Sequence, residues 1–200
     1  IDNKITKQFF NLEGFTIGDL QYPADIFTKW SVEEKEAIGI YEIVFDKSNF
    51  KNENFYINTD PTFAFANDAV TASYGTATPK AHADTTWSQD DEDAGDLPDD
   101  KSVGDIKTRG LKYNLIQTLK QQVAGILNDT DWYITRKNEV STAIPSAITT
   151  HRNLVRSRQA AMETAITNAS DTPALEVLYT YTTTDGVTSR PIGELPILEI

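Results

Sequence analysis

One cluster of acids has the residue types of a cation site: Asp90, Asp91, Glu92, Asp93 and Asp96. Several carboxylate oxygens in one loop are the ligands that Ca²⁺ prefers. A calcium-binding loop, however, places its acidic ligands at alternate positions and a glycine at the sixth. Counted from Asp91, Gly95 comes fifth. We therefore expect no metal site here, and a solvated stretch is the favoured interpretation.

The other residue types that carry catalysis are sparse. The chain has no cysteine and two histidines, so thiolate chemistry and multi-histidine metal centres are not expected. His151 falls on a predicted helix without Ser, Asp or Glu at the helical spacing that would orient it as a base, and His82 lies in a polar stretch. Gly14 and Gly18 lack the flanking strand and Lys-Ser/Thr of a phosphate loop. We predict no enzyme, no catalytic residues and no cofactor.

The charge balance narrows the classes of partner. The 200 residues include 18 Lys and Arg against 30 Asp and Glu, a formal net charge of −12 at pH 7. This charge repels phosphate backbones and anionic membrane surfaces, and no apolar run is long enough to span a bilayer. We expect protein partners, no nucleic acid and no membrane insertion.

The uneven distribution of this charge predicts the domain boundaries. Residues 89–105 hold eight acids and one base (−7), whereas residues 106–165 hold nine bases and four acids (+5). Such an acidic stretch cannot offset its ordering entropy by burial, so we predict an acidic linker or exposed loop at 89–105. It separates a β-rich α+β domain at 1–88 from a helical hairpin domain at 106–179, and an extended tail follows at 180–200.

The helical hairpin is predicted from apolar residues that recur every four positions: Leu111, Leu115, Leu119, Val123 and Leu127. This helix should begin near Asp105 and end at Asn128-Asp129. A second helix should follow Pro145, which suits a first helical turn, and a short third one is predicted from Pro173 to Tyr179. The segment between the first two helices must reverse the chain, so the pair should be antiparallel.

The N-terminal domain combines helix and strand signals. Ser31 and Glu34 match a capping box and predict a short helix from Ser31 to Ala37. Apolar alternation slipped by one residue predicts an irregular strand from Ile38 to Phe45. Strands at 62–66 and 69–76 should flank an Asn-Asp turn. The fold class is therefore predicted as α+β.

Several residues are candidates for an interface. Arg152 and Arg156 are one helical turn apart and should share either a solvated face or a face that docks acidic protein, such as the acidic stretch of a neighbouring copy. Trp132 either closes the hairpin core or anchors an interface, with Arg136 nearby. In the tail, four apolar residues are predicted to dock on another subunit: Ile192, Leu195, Ile197 and Leu198.

The stretch from Leu127 to Ile166 resembles a C-terminal module of bacteriophage tail-fibre-associated and tail-assembly proteins, including virion structural proteins of marine cyanophages. The residues that carry the resemblance are Leu127, Thr130, Asp131, Trp132, Arg136, Ile144, Pro145, Arg152, Val155 and Arg156. His151 departs from the family, which usually carries Tyr or another aromatic there. Residues 23–42, PADIFTKWSVEEKEAIGIYE, are similar to an N-terminal segment of the same proteins.

The resemblance implies a structural protein of a phage tail, either a fibre or an adaptor that attaches fibres. Such a protein is made in the bacterial cytoplasm, ends in the virion tail, and contacts other tail proteins and copies of itself in a homo-oligomer. Two alternatives stay open. One is a tail-fibre assembly chaperone absent from the mature virion, and the other is a receptor-binding tail protein.

Overall fold

The structure is a computed structural model that describes residues 7–9 and 11–198. It is an α+β fold, as predicted. The chain divides into two compact units, of which unit 1 ends at Thr78 and unit 2 begins at Pro79. The division thus falls ten residues before the end of the predicted N-terminal domain at residue 88.

Unit 1 is built from short elements: β1 (Phe15–Ile17), β2 (Leu20–Tyr22), α1 (Ile26–Lys29), α2 (Val32–Glu36), β3 (Ile43–Asp46), β4 (Tyr56–Ile57), β5 (Thr62–Ala66) and β6 (Ala69–Ser73). Strand β7 (Thr78–Pro79) lies at the division. The antiparallel pair β1 and β2 packs its aromatic side chains with those of α1: the Phe15 ring lies 5.3 Å from Tyr22 and 5.7 Å from Phe27, and Ile26 is fully buried.

The predicted capping box is present at the start of α2. The Ser31 hydroxyl accepts from the N–H of Glu34, whose carboxylate accepts from the N–H of Ser31. The strand predicted from Ile38 is shorter than expected, because the residues after α2 form a C-terminal turn. Gly39 has a φ of +81°, and the N–H of Ile40 donates to the carbonyl of Lys35 at 3.0 Å.

Strands β3, β6 and β5 form one sheet in that order. The predicted hairpin of β5 and β6 is confirmed: Asn67 and Asp68 both have positive φ, 52° and 54°, as a tight two-residue turn requires. Strand β3 runs parallel to β6, with Val44 opposite Thr71. Ala72 is buried in the middle strand.

Unit 2 contains β8 (Thr85–Thr86), α3 (Gln89–Asp93), β9 (Ile106–Thr108), α4 (Leu111–Asn128), α5 (Asp131–Val140), α6 (Ser146–Asn168), α7 (Thr172–Tyr179), β10 (Thr182–Thr184) and β11 (Val187–Ser189). Helices α4 and α6 are antiparallel, since Lys112 at the start of α4 donates to the carbonyl of Thr167 at the end of α6. Their buried residues form the core: Leu119, Val123, Ile148, Val155, Met162 and Ile166.

The boundaries of the hairpin differ from the prediction at three points. Helix α4 begins at Leu111 instead of near Asp105, because Asp84 accepts the N–H of its N-cap residue Gly110 at 2.8 Å. The connecting segment contains a helix, α5, where only a turn was expected. Pro145 is the N-cap of α6 and precedes its first turn.

The acidic stretch is an exposed, folded loop of unit 2 and does not link two units. Ser88 and Asp91 form a capping box at the start of α3, and Asp91 pairs with Lys107 across the loop at 2.6 Å. The strands β8 and β9 are antiparallel neighbours that close it, and Lys107 lies 4.4 Å from the centre of the Trp87 ring. Local ion pairing and capping therefore order a segment that buries little apolar surface.

The predicted extended tail is also folded. Thr182 to Ser189 form the hairpin of β10 and β11, and Ile192 is 3% exposed. Its N–H donates to the carbonyl of Leu178 in α7 at 3.0 Å. The tail thus packs against α7 of its own unit at Ile192, three residues before Leu195.

Candidate protein-interaction surface

Arg152 joins the end of α4 to the first half of α6. It is 6% exposed. Its Nη1 donates to the carbonyl oxygen of Leu127 at 2.8 Å and to Oγ1 of Thr130 at 2.6 Å, and its Nη2 lies 2.8 Å from Oδ1 of Asp131. Carbonyls in the last turn of a helix lack intrahelical partners and carry partial negative charge, so a guanidinium suits them. Arg152 is therefore a buried structural residue, and the prediction that it lies on a solvated or docking face is wrong.

Thr130 also takes part in these contacts between the end of α4 and α6. It is 2% exposed, and its hydroxyl donates to the carbonyl of Leu127 at 3.0 Å while accepting from Arg152. The four residues thus form one hydrogen-bonded network, which we call the Arg152 corner: Leu127, Thr130, Asp131 and Arg152. It fixes the point at which α5 leaves α4.

The first turns of α5 carry a half-exposed aromatic surface, the α5 surface, made of Trp132, Tyr133 and Arg136. Trp132 is 52% exposed, so it does not close the core, and its ring lies 4.5 Å from that of Tyr133. The guanidinium carbon of Arg136 lies 4.4 Å from the Trp132 ring centre and 5.3 Å from that of Tyr133. The helical spacing of four residues from Trp132 to Arg136 brings these groups together.

The Nε atom of Arg136 is buried and has no hydrogen-bond partner among the described residues. Packing against the two aromatic rings accounts for the burial of this atom, while Arg136 as a whole residue is half-buried. A guanidinium held in this way has lost part of its hydration already, which favours contact with a polar or acidic group of another protein.

Arg156 lies one turn after Arg152 but in a different environment. It is exposed, and no ion pair or hydrogen bond joins its side chain to another residue of the described part of the chain. The predicted shared face is thus divided into a buried arginine and an exposed one.

An open groove of about 390 Å³ runs between the first half of α6 and the end of the tail. His151, which is buried, and Leu154, which is 54% exposed, line its helical side. On the tail side lie Ile197, which is 86% exposed, and Leu198, which is half-buried. Of the four tail residues predicted to dock on another subunit, Ile192 is buried in unit 2, Leu195 and Leu198 are half-buried, and Ile197 alone is free to make that contact.

A polar network holds the tail next to α6. Glu194 accepts from the hydroxyl of Tyr181 at 2.7 Å and pairs with Arg190 at 2.7 Å. Its backbone carbonyl accepts from Nε of Arg158 at 3.1 Å. The hydrogen bond from Tyr181 lowers the pKa of Glu194, and the same bond raises the pKa of the Tyr181 hydroxyl.

Gly193 is required in this network. It has a φ of +71°, and a side chain at this position would overlap the guanidinium of Arg158. The positive φ is what favours glycine at this turn, and a Cβ there would also push the Arg158 guanidinium aside.

Sequence reasoning missed the residues that fix the tail. Tyr181, Arg190 and Glu194 carry no motif, and the i, i+4 spacing of the last two was the one available signal. Thr130 appeared in the family pattern, but its burial beneath Arg152 could not be inferred from its position.

In the described residues, no group of three or more His, Cys, Asp or Glu side chains could hold a metal ion. No helix in the same part of the chain is long and apolar enough to cross a membrane. The fold and surface define an α+β protein with a hydrogen-bonded hairpin corner beside a half-exposed cluster of two aromatic residues and an arginine. Comparisons with family models, curated proteins and solved structures find no match.

Proposed function

We propose that this chain is a structural protein of a bacteriophage tail, a fibre or an adaptor that attaches fibres. It acts through contacts with other tail proteins and with copies of itself, and it has no catalytic role. One observation carries the proposal. The residues that resemble the tail-protein module, although 25 positions apart in the sequence, meet at the Arg152 corner and position the exposed Trp132 beside it.

The chemistry of the α5 surface supports binding to protein. Tryptophan, tyrosine and arginine are enriched among the residues that dominate protein interfaces. Trp132, Tyr133 and Arg136 lie together, partly exposed, on a helix whose start is fixed by Arg152. A preorganised surface of this kind loses little conformational entropy on binding.

The groove supplies a second contact at the same end of the hairpin. Leu154 and Ile197 expose apolar surface on its two sides, and such surface gains free energy when a partner's apolar side chain covers it, at roughly 25 cal/mol per Å². Arg156 adds an exposed positive charge on the same helix. Together these features fit a partner that presents an apolar side chain flanked by acids.

Mass spectrometry of purified virions tests the proposal. A tail component should be present in a defined number of copies per particle, and cross-linking should join the region of Trp132 to another tail protein. Absence from purified particles, with presence in infected cells, would reject the structural role and indicate an assembly chaperone.

A matched pair of variants tests the surface itself. In Trp132→Ala, incorporation into particles should fall at least tenfold, because the anchor of the α5 surface is lost. Tyr113→Ala is the control: Tyr113 is 39% exposed and packs under Arg109 at 4.2 Å, a similar contact at the other end of α4. Equal incorporation of both variants would show that the α5 surface is not the binding site.

A further inference from the structure

The outer edge of β5 in unit 1 is an unprotected sheet edge. Among the described strands, β5 pairs with β6 alone. The segment from Thr62 to Ala66, TFAFA, contains no charged residue and no proline, and its register with β6 has no bulge. Natural sheet edges usually carry lysine, proline or a bulge, which prevent pairing with another chain.

The register of the hairpin determines which backbone groups point outwards. In a two-residue hairpin the residues next to the turn, Ala66 and Ala69, form a hydrogen-bonded pair, and such pairs alternate with non-hydrogen-bonded ones. Ala64 and Thr62 therefore bond to β6 as Ala66 does. The N–H and C=O groups of Phe63 and Phe65 point away from β6, towards the free edge.

These four groups are self-complementary. If two copies of β5 lie antiparallel with Ala64 opposite Ala64, Phe63 of each copy faces Phe65 of the other, and all four outward groups of each strand pair. The phenylalanines of both copies then share one face of the sheet, where cross-strand aromatic pairs are stabilising. This arrangement has two-fold symmetry and closes on itself.

We propose that two copies of this chain pair through the outer edge of β5, antiparallel about Ala64, to join their three-stranded sheets into one of six strands. Two copies of a chain with net charge −12 repel each other wherever acidic surfaces meet. The β5 strand carries no charge, so two copies can pair at this edge without placing like charges of the strands next to each other. Asp60 of one copy lies at the same end as Asp68 of the other, and salt should therefore strengthen pairing. The edge lies apart in sequence from the residues that carry the proposed function.

The test records NMR spectra of the full chain at concentrations from about 10 μM to 1 mM. This range suits the weak dissociation constant expected of an interface smaller than the standard size. The amides of Phe63 and Phe65 should shift with concentration and exchange with solvent several-fold more slowly at the high end. The amides of Thr62, Ala64 and Ala66 should be protected throughout. Spectra that do not change with concentration, together with fast solvent exchange of the Phe63 and Phe65 amides at 1 mM, would overturn the proposal.

Charge variants then locate the symmetry axis. Ala64→Lys places two like charges opposite each other on the exposed face and should weaken association about tenfold or more, as should Ala64→Glu. An equimolar mixture of the two variants should restore it, because opposite charges then meet. The control is Val44→Lys, since Val44 is 59% exposed in the same cross-strand row at the other edge of the sheet.

Val44→Lys should associate as the unchanged chain does. If it abolishes association while Ala64→Lys does not, the β3 edge is the interface and the proposal is wrong. If the mixture of Ala64→Lys and Ala64→Glu stays monomeric although each variant has the circular dichroism of the unchanged chain, the antiparallel register about Ala64 is wrong.

Discussion

Replacement of Arg152 by methionine should destabilise unit 2 substantially. The variant keeps most of the apolar stem but removes two charge-assisted hydrogen bonds, to the carbonyl of Leu127 at 2.8 Å and to Oγ1 of Thr130 at 2.6 Å. Hydrogen bonds that involve a charged group each contribute about 1.5–3 kcal/mol. The ion pair with Asp131 adds little, because that carboxylate is 56% exposed and remains solvated when the arginine is lost.

The loss is limited by what remains at the corner. The hydroxyl of Thr130 still donates to the carbonyl of Leu127 at 3.0 Å and its backbone N–H at 3.1 Å, so that oxygen keeps both of these partners in the variant. We therefore expect Arg152→Met to lower the free energy of unfolding by about 2–4 kcal/mol. Arg156→Met, one turn further on at an exposed position, should change it by less than about 0.5 kcal/mol.

Urea unfolding followed by circular dichroism at 222 nm measures both variants. A double-mutant cycle with Thr130→Val should give a coupling energy of about 1–2 kcal/mol between Thr130 and Arg152. If Arg152→Met and Arg156→Met unfold at the same urea concentration with the same slope, the corner does not stabilise the hairpin and the reasoning fails.

Three further predictions concern the tail and the acidic loop. Gly193→Ala should loosen the tail, because its φ is positive and the added methyl group would displace the Arg158 guanidinium from the carbonyl of Glu194; faster amide hydrogen exchange at Ile192 would show this, and unchanged exchange would contradict it. Glu194 has a folded-state pKa below its usual value of 4.5, so its contribution to stability is present above pH 4.5 and is lost as the pH falls through the lowered pKa. Tyr181→Phe removes the main cause of that shift and should flatten this part of the stability curve, whereas an identical curve would refute the assignment. The hydrogen bond from Lys107, the largest cause, and those from Ser88 together lower the pKa of Asp91 to about 2. In Lys107→Met the pKa should rise part of the way towards 3.8, because the Ser88 bonds remain; a carboxyl-carbon NMR titration would detect this, and an unmoved pKa would rule out Lys107 as the largest cause.

The elements that sequence reasoning predicted well are those specified by nearby residues. The capping box at Ser31, the turn at Asn67 and Asp68, and the apolar stripe through Leu119 and Val123 each depend on residues a few positions apart. Their short-range patterns contain the information that the local structure needs. Such features could be predicted because no distant partner decides them.

The errors come from residues whose role depends on a distant partner. Arg152 and Arg156 are indistinguishable by local pattern, yet only Arg152 lies where α6 crosses the last carbonyls of α4, 25 positions earlier in the sequence. The burial of Ile192 likewise depends on its hydrogen bond to Leu178 and on the hairpin of β10 and β11 between the two residues. The threonine-rich sequence of that segment did not predict a hairpin. Helix spacing predicts which residues share a face, but not which part of that face another helix covers.

The acidic loop shows why net charge alone is a poor guide to order. Its composition predicted an acidic linker or exposed loop, because it buries little apolar surface, and the residues of α3 are indeed largely exposed. Yet Lys107 on β9 reaches both the Asp91 carboxylate at 2.6 Å and the Trp87 ring at 4.4 Å. Ser88 caps α3. The backbone of Trp87 forms hydrogen bonds with that of Gly104 and Asp105. These contacts close a loop whose ends are held by paired strands, so the conformational entropy to be lost is smaller than for a free segment. The remaining acids form a negative surface of unit 2. Under the proposed function, this surface would repel an acidic partner and favour its approach to the Arg156 side of α6.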